Sequence, residues 1–215
     1  MRTKIFFSSL VVLLIILFVS SLVVGAVKIP LESIIDLLLG NEVKQSWKYI
    51  VTEFRFPKAI VAVLVGIALS IAGMLMQTLF RNFMADSYVL GISSGSSLGV
   101  ALIIMGSTFL PDSLQFLIKH PFAISISAII GSFLVMNLAL LFSKRFTETN
   151  SLLVVGLMFS SFASSFVSIM AYFSTAEELQ RFTFWNMGSL GNVSWNAIYI
   201  FIFCVVICTL MSFRL

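Results

Sequence analysis

Residues 55–99 read RFPKAIVAVLVGIALSIAGMLMQTLFRNFMADSYVLGISSGSSLG. Within this stretch a short polar turn at 81–82 separates two apolar segments, each of about the length that a membrane helix needs. Gly91, Gly95 and Gly99 follow one another at intervals of four, which places them on one face of a helix. Small residues on such a face let two helices approach closely in lipid. The stretch therefore predicts membrane-spanning helices that pack through glycine.

The composition of the whole chain indicates the same class. Apolar residues make up 60% of the 215 residues and charged residues only 10%, whereas soluble domains carry about 25% charged residues. The net charge of +4 is not gathered into a basic patch or stripe, so the charge does not indicate nucleic acid as a partner. Alternating ten-residue segments typical of membrane barrels are not found. We therefore expect an all-α integral membrane protein, because helices satisfy their own backbone polar groups in lipid.

Six apolar segments are long enough to span a membrane. The first is longer than the apolar part of a secretory signal, which is about 7–15 residues, so we predict a retained transmembrane helix there. Proline is tolerated in the first turn of a helix or beyond its end, and all four prolines lie at such positions of the predicted spans. The predicted spans are 5–27, 57–79, 88–109, 122–142, 151–173 and 195–213.

The distribution of basic residues predicts a cytoplasmic N-terminus. In this orientation six of the 13 Lys and Arg residues lie in short inner segments, and the other seven are spread over longer outer ones. The three tryptophans, Trp47, Trp185 and Trp195, then fall on the outer side, where they suit the aromatic belt of the interface. Segment 28–56 also lies outside, and its apolar stripe from Leu31 to Leu38 predicts a short amphipathic helix along the surface.

The order of motifs resembles the FecCD-type permease family of ABC importers for iron-siderophores, haem and cobalamin. That family's pattern reads R-x-P-R, a Gly/Ala-rich helix, G-x-x-x-Q, R-N-P-L-A-D-P-Y and then L-G-x-x-x-G. A second phrase, W-x-x-G-S-L-x-x-x-x-W over 185–195, also resembles the family. Phe83 and Ser87 stand where the family has turn prolines, and Lys58 stands where it usually has arginine. The residues that match the first pattern are Arg55, Pro57, Lys58, Gly66, Gly73, Gln77, Arg81, Asn82, Ala85, Asp86, Tyr88, Leu90, Gly91 and Gly95.

This resemblance implies the fold and the domain organisation. We expect residues 1–215 to form a single transmembrane permease domain that resembles the first part of a ten-helix type II ABC importer permease. We also expect the chain to be an N-terminal portion of such a permease, without the coupling segment and the later helices. The implied function is translocation of an iron-siderophore or a related metal chelate, such as haem or cobalamin, across the bacterial cytoplasmic (inner) membrane.

The resemblance also implies the partners. These are a second permease copy or a homologous permease, two cytoplasmic ATPase subunits, an extracytoplasmic substrate-binding protein and the surrounding lipid. The chain has no G-x-x-x-x-G-K-[ST] sequence to cradle ATP phosphates, so we expect a non-enzymatic transport subunit without a cofactor. Cys204 and Cys208 lie in an apolar helix with no further ligands near them in sequence, so no metal site is predicted.

Two groups of residues are candidates for contact with other helices or proteins. Arg55 and Lys58 flank Pro57 at the predicted outer mouth of the second span. They could anchor the helix at the interface as snorkelling cations. The resemblance implies instead that they dock the binding protein through charge complementarity. Helix packing is the main expectation for the glycines of this region, with direct substrate contact as the alternative; these are Gly66, Gly73, Gly91, Gly95 and Gly99.

Polar residues within the spans are candidates for lining a translocation pathway. Gln77 could instead hydrogen-bond to another helix. The fifth span carries a serine stripe, for which pathway lining and helix packing are both open. In the family that the chain resembles, the fifth helix borders the pathway. The serines of the predicted lining are Ser161, Ser164, Ser165 and Ser168.

Other functions fit the sequence less well. An ion-coupled secondary transporter would normally carry ionisable residues at mid-membrane, and the six segments have none there. A structural membrane subunit stays open as an alternative. Residues 91–95 match G-x-S-x-G, but that motif needs a strand-turn-helix context. The single histidine, His120, lies in a predicted loop, so an intramembrane serine protease lacks its base.

Overall fold

The computed structural model describes residues 2–83, 85–106, 122–143, 149–191 and 193–212, and all regular structure within them is helical. Helices α1 to α4 alternate with short loops and one π-helical turn. They are α1 (Arg2–Val23), α2 (Leu31–Leu39), α3 (Gln45–Ile50), the π-turn (Val51–Arg55) and α4 (Phe56–Phe80). A 3-10 turn (Ser87–Leu90) then precedes α5 (Ile92–Ile104), α6 (Ala123–Ser143), α7 (Thr149–Phe173), α8 (Ala176–Met187) and α9 (Trp195–Ser212).

Among the described residues, five helices are long and apolar enough to cross a membrane. They are Arg2–Val23, Gln45–Phe80, Ala123–Phe142, Leu152–Phe173 and Trp195–Ser212. Segment 88–109, predicted as one span, instead contains the end of the 3-10 turn and the 13 residues of α5. Gly91 joins the two with a φ of 80°, a left-handed conformation that interrupts the helix. At 1.5 Å per residue α5 is about 20 Å long, less than the thickness of the hydrocarbon core.

The second span was predicted to begin at Pro57, but its helix begins earlier in the chain. The helical run starts at Gln45 and continues through Pro57 to Phe80. A proline within a helix has no N–H to donate, and its ring clashes with the carbonyl four residues before it, here that of Glu53. The π-turn lies at this point, with the Phe56 N–H bonded to the Val51 carbonyl. A wider turn therefore accommodates the proline without ending the helix.

The described parts of residues 1–69 and 190–215 form one compact unit. Its core joins α1, α2, the π-turn and the start of α4 through Leu22, Ile29, Ile34, Val51 and Ala59. The amphipathic helix that the sequence predicted is α2, which begins after Pro30 and ends at Gly40 with a φ of 82°. Within this helix Ile34 is buried, whereas Leu38 is exposed.

The described parts of residues 70–189 form the second compact unit, with α5 packed between α6 and α7. One hydrophobic cluster lies at the C-terminal end of α5, where Val100 and Ile104 meet Phe182 of α8. Another lies near its N-terminal end, where Leu90 meets Phe80 at the end of α4. Successive long helices of this unit therefore run in alternating directions, as expected for consecutive membrane spans.

Candidate functional site

Arg55 and Lys58, the two predicted docking cations, differ in their surroundings. The Arg55 Nη1 donates hydrogen bonds to the carbonyls of Leu22 (2.6 Å) and Val23 (2.8 Å), and its Nη2 donates to the carbonyl of Val27. Arg55 is half-buried, whereas Lys58 is exposed. The Arg55 guanidinium thus hydrogen-bonds to the carbonyls at the end of α1. The Lys58 ammonium has no polar partner among the described residues.

Aromatic rings gather at the same end of this unit. The Phe56 ring lies 6.0 Å from Phe18 and 6.3 Å from Trp195, measured between centroids. The Lys44 ammonium lies 4.6 Å above the Trp47 ring. Two of the three tryptophans therefore sit with the predicted outer ends of α1, α4 and α9, an arrangement typical of an interfacial belt.

Gly95 and Gly99 lie where α5 crosses α6. A Cβ atom added to Gly95 would be 2.6 Å from the Gly131 carbonyl oxygen and 2.9 Å from the Val135 Cβ. A Cβ added to Gly99 would overlap the Ser127 carbonyl. The two backbones therefore approach so closely that no side chain fits at either glycine.

Gly91 is constrained in two ways. Its φ of 80° lies in the left-handed region, where a Cβ is disfavoured. A Cβ there would also lie 2.9 Å from the Val135 Cγ1 and 3.0 Å from the Ser160 Oγ. Gly91 thus marks the point where the start of α5 meets both α6 and α7.

The other two predicted packing glycines have different surroundings. No heavy atom of a neighbouring described segment lies within 4 Å of a Cβ built on Gly66 or Gly73. Gly66 is also exposed on α4. The close contact that the sequence predicted for Gly66 and Gly73 is therefore not made within the described part of the chain.

The serine stripe of α7 is exposed. Ser161, Ser165 and Ser168 donate their hydroxyl protons to the carbonyls four residues earlier, over 2.9–3.0 Å. Ser164 is exposed on the same helix. Because the hydroxyl protons of these three serines are used within the helix, the three side chains present oxygen lone pairs rather than donors to a neighbouring surface.

Gln77 lies in the last turn of α4, with its side chain exposed. Its backbone carbonyl accepts a 3.2 Å hydrogen bond from the Asn82 N–H, which closes the end of the helix. The side-chain amide has no hydrogen-bond partner among the described residues. The interhelical hydrogen bond considered for Gln77 is thus not formed within the described segments, and pathway lining remains a hypothesis.

Two contact residues were not singled out from the sequence. Gly131 is the partner of Gly95, and Ser132 on α6 donates a 3.0 Å hydrogen bond to the Ile92 carbonyl. The spacing of Ser127, Gly131 and Val135 carries a weak small-residue signal that could have indicated the α6 face. His120 lies outside the described residues.

The described residues are mostly apolar and helical. They contain no group of three or more His, Cys, Asp or Glu side chains placed to hold a metal ion. No polar or charged residue among them is buried. Long apolar helices joined by short turns, with close glycine contacts, define a multi-pass helical membrane protein.

Comparison with known proteins identifies the family. The chain belongs to the FecCD transport family, whose model matches residues 13–215. It is 33% identical over 193 residues to the hemin transport system permease protein HmuU of Yersinia pestis, covering 89% of this chain and 55% of HmuU. It is 30% identical to the vitamin B12 import system permease protein BtuC of Klebsiella pneumoniae, covering 76% of this chain and 47% of BtuC. With its several long apolar helices, the chain is a multi-pass protein of the inner membrane.

A solved structure supports the fold. It is described as an inward-facing conformation of a metal-chelate type ABC transporter, and it superposes with a TM-score of 0.76 at 27% identity, covering 97% of this chain and 61% of that chain. An archaeal relative, the ABC transporter permease protein MJ0087 of Methanocaldococcus jannaschii, is 30% identical and covers 93% of this chain and 58% of that protein. The chain spans about half the length of the curated relatives it matches.

Proposed function

We propose that this chain forms the first part of the transmembrane permease subunit of an ABC importer. The cargo would be a metal chelate of the class of iron-siderophores, haem and cobalamin. The observation that carries the proposal is the family match over residues 13–215. It is supported by relatives that are named as hemin and vitamin B12 permeases.

The exposed polar residues suit a low-affinity pathway. Ser161, Ser165 and Ser168 use their hydroxyl protons within α7, so they offer a bulky cargo small, weakly polar contacts instead of a tight binding site. Gln77 adds one exposed amide on α4. Affinity would then reside in an extracytoplasmic binding protein, from which the permease receives the chelate.

The proposed assembly contains separate partners. Two cytoplasmic ATPase subunits would supply the energy, since the chain has no phosphate-cradling loop of its own. A second permease copy or a homologous permease would complete the pathway, and Lys58 would help to dock the binding protein. Each ligand-driven change of state needs different contacts in the two states, which these partners would provide.

The test is uptake by the permease as the cell makes it, reconstituted into liposomes with the ATPase and binding protein encoded beside it. Haem, cyanocobalamin and a ferric siderophore serve as separate cargoes. We expect ATP-dependent uptake of one of them, and none when the P-loop lysine of the ATPase is replaced by alanine. Uptake that follows an ion gradient without ATP would show a secondary transporter instead, and absence of uptake of all three would contradict the proposed cargo class.

A further inference from the structure

The end of α1 is completed by a residue more than thirty positions further along the chain. The last carbonyls of a helix have no partner within it, and α1 has no basic residue in its last turn. The Ser20 carbonyl accepts a 2.9 Å bond from the Val24 N–H. The last two carbonyls of α1, those of Leu22 and Val23, accept from Arg55 instead.

The loop that follows α1 closes around the same guanidinium. The Val27 carbonyl is its third acceptor. A Cβ atom added to Gly25 would lie 2.8 Å from the Arg55 Nη2 and 3.0 Å from its Cζ. A side chain at residue 25 would therefore push the Arg55 guanidinium away from its present position.

The π-turn carries Arg55 to this position. Arg55 is the last residue of the π-turn, and one extra residue per turn changes the direction in which its side chain leaves the helix. Val51, at the start of the same turn, is buried against Leu22 and Ile34 in the core. The turn that accommodates Pro57 thus also aims the guanidinium at α1.

The charge of Arg55 suits this position. Charge-assisted hydrogen bonds are about twice as strong as those between neutral groups, and a cation at a helix C-terminus is stabilised by the helix dipole. Near the lipid, a carbonyl without a donor is costly. Lysine has the charge of arginine but not its fork of donors, so it cannot reach three carbonyls in this geometry.

We propose that Arg55 is an interhelical cap that fastens the end of α1 to the π-turn. Lys58, exposed one turn further along, has no part in this cap. The assignment of Arg55 stands on the hydrogen bonds alone, whereas docking of a binding protein belongs to the proposed function. The cap and the docking are therefore tested by different measurements.

The cap is tested by thermal unfolding of the intact permease in detergent, with Arg55→Lys, Arg55→Gln, Gly25→Ala and the control Lys58→Gln. We expect the two Arg55 variants to lower the apparent Tm by about 5–10 °C, because two or three charge-assisted bonds are lost. Gly25→Ala should lower it in the same direction by pushing the guanidinium aside. Lys58→Gln should leave it within about 1 °C, as expected for an exposed surface residue.

Hydrogen exchange over residues 20–29 gives the second readout. Faster exchange there in Arg55→Lys and Gly25→Ala, with wild-type exchange in Lys58→Gln, supports the cap. If an Arg55 variant does not accumulate, Gly25→Ala alone decides the question. Wild-type Tm and exchange in both Arg55→Lys and Gly25→Ala would overturn the cap. That result would leave the proposed transport function untouched, because transport is measured separately by uptake.

Discussion

Gly95 of α5 and Gly131 of α6 face each other at a distance that leaves no space for a methyl group. A Cβ on Gly95 would lie 2.6 Å from the Gly131 carbonyl oxygen, and a Cβ on Gly131 would overlap the Gly95 carbonyl. Neither glycine can carry a side chain, so a larger residue at either position would push α5 and α6 apart. In lipid, where helices associate through close packing rather than through the hydrophobic effect, this contact governs how α5 is held.

The first prediction concerns this contact. Gly95→Ala should destabilise the protein by about 1–3 kcal/mol, the usual cost of overpacking, and Gly95→Leu should prevent correct assembly. The measurement is apparent Tm and monodispersity of the purified permease. Gly66→Ala is the matched control, since a Cβ there meets open space and alanine favours the helix. Equal behaviour of Gly95→Ala and Gly66→Ala would contradict the α5–α6 contact.

The second prediction separates backbone strain from steric overlap at Gly91. Gly40 has nearly the same φ, 82°, but no atom of a neighbouring described residue lies within 4 Å of its Cβ position. Gly40→Ala should therefore cost only the left-handed strain, about 1 kcal/mol. Gly91→Ala should cost clearly more, because it adds the overlap with Val135 and Ser160. Thermal unfolding measures both, and a Gly91→Ala variant no less stable than Gly40→Ala would argue against the three-helix junction.

The third prediction concerns docking at Lys58. Lys58→Glu should slow association with the binding protein by about tenfold at low salt and weaken the salt dependence, because exposed charges act mainly through steering. Surface plasmon resonance on the reconstituted permease gives the rates. Lys4→Glu, the same charge change at the predicted cytoplasmic end, is the control. Unchanged kinetics in Lys58→Glu would remove Lys58 from the docking surface.

The fourth prediction is the orientation in the membrane. After replacement of Cys204 and Cys208 by serine, a cysteine at Ser46 in α3 should react with an impermeant maleimide from outside intact cells. A cysteine at Thr3 should react only after permeabilisation, because the N-terminus is predicted to be cytoplasmic. The reverse labelling pattern would show that the density of basic residues misled the assignment.

The fifth prediction tests the serine stripe of α7. In the assembled transporter, Ser165→Cys should react with a water-soluble thiol reagent at least about tenfold faster than Phe162→Cys, because thiol reactions need ionisation in water. Both positions are exposed in the chain by itself. A difference in reactivity therefore reports whether water or another apolar surface covers each position in the assembled transporter. Slow reaction at Ser165 in every transport state would favour helix packing over pathway lining.

The membrane class and most helix positions could be predicted because they depend on local properties. Apolar length sets a span in lipid, and α6, α7 and α9 lie within one or two residues of the predicted segments. Helix α1 covers Arg2–Val23 instead of the predicted 5–27. Two other boundaries that differ have local backbone causes. A left-handed glycine shortens the helix at α5, and a π-turn lets α4 continue through its proline.

Of the predicted packing residues, some make the expected helix contact and others do not. Glycine spacing on α5 indicated a packing face, and α6 lies against that face. Gly66 and Gly73 of α4, which were also predicted to pack, meet open space within the described segments. A small-residue face shows only that close approach is sterically allowed; the presence of a second helix depends on how the whole chain folds.

Arg55 shows most clearly which contacts a sequence pattern does not predict. Its neighbours in sequence identify it as a cation beside a proline at the end of a helix. That position is compatible both with anchoring at the interface and with docking of a partner protein. Its hydrogen bonds go to Leu22, Val23 and Val27, residues that no local pattern connects with position 55. Apolar length, charge density and the family motifs can be read along the chain because each acts within a few turns of helix. The cap on α1 and the contact between Gly95 and Gly131 exist only in the folded chain, because hydrogen bonds and steric exclusion depend on distances in space.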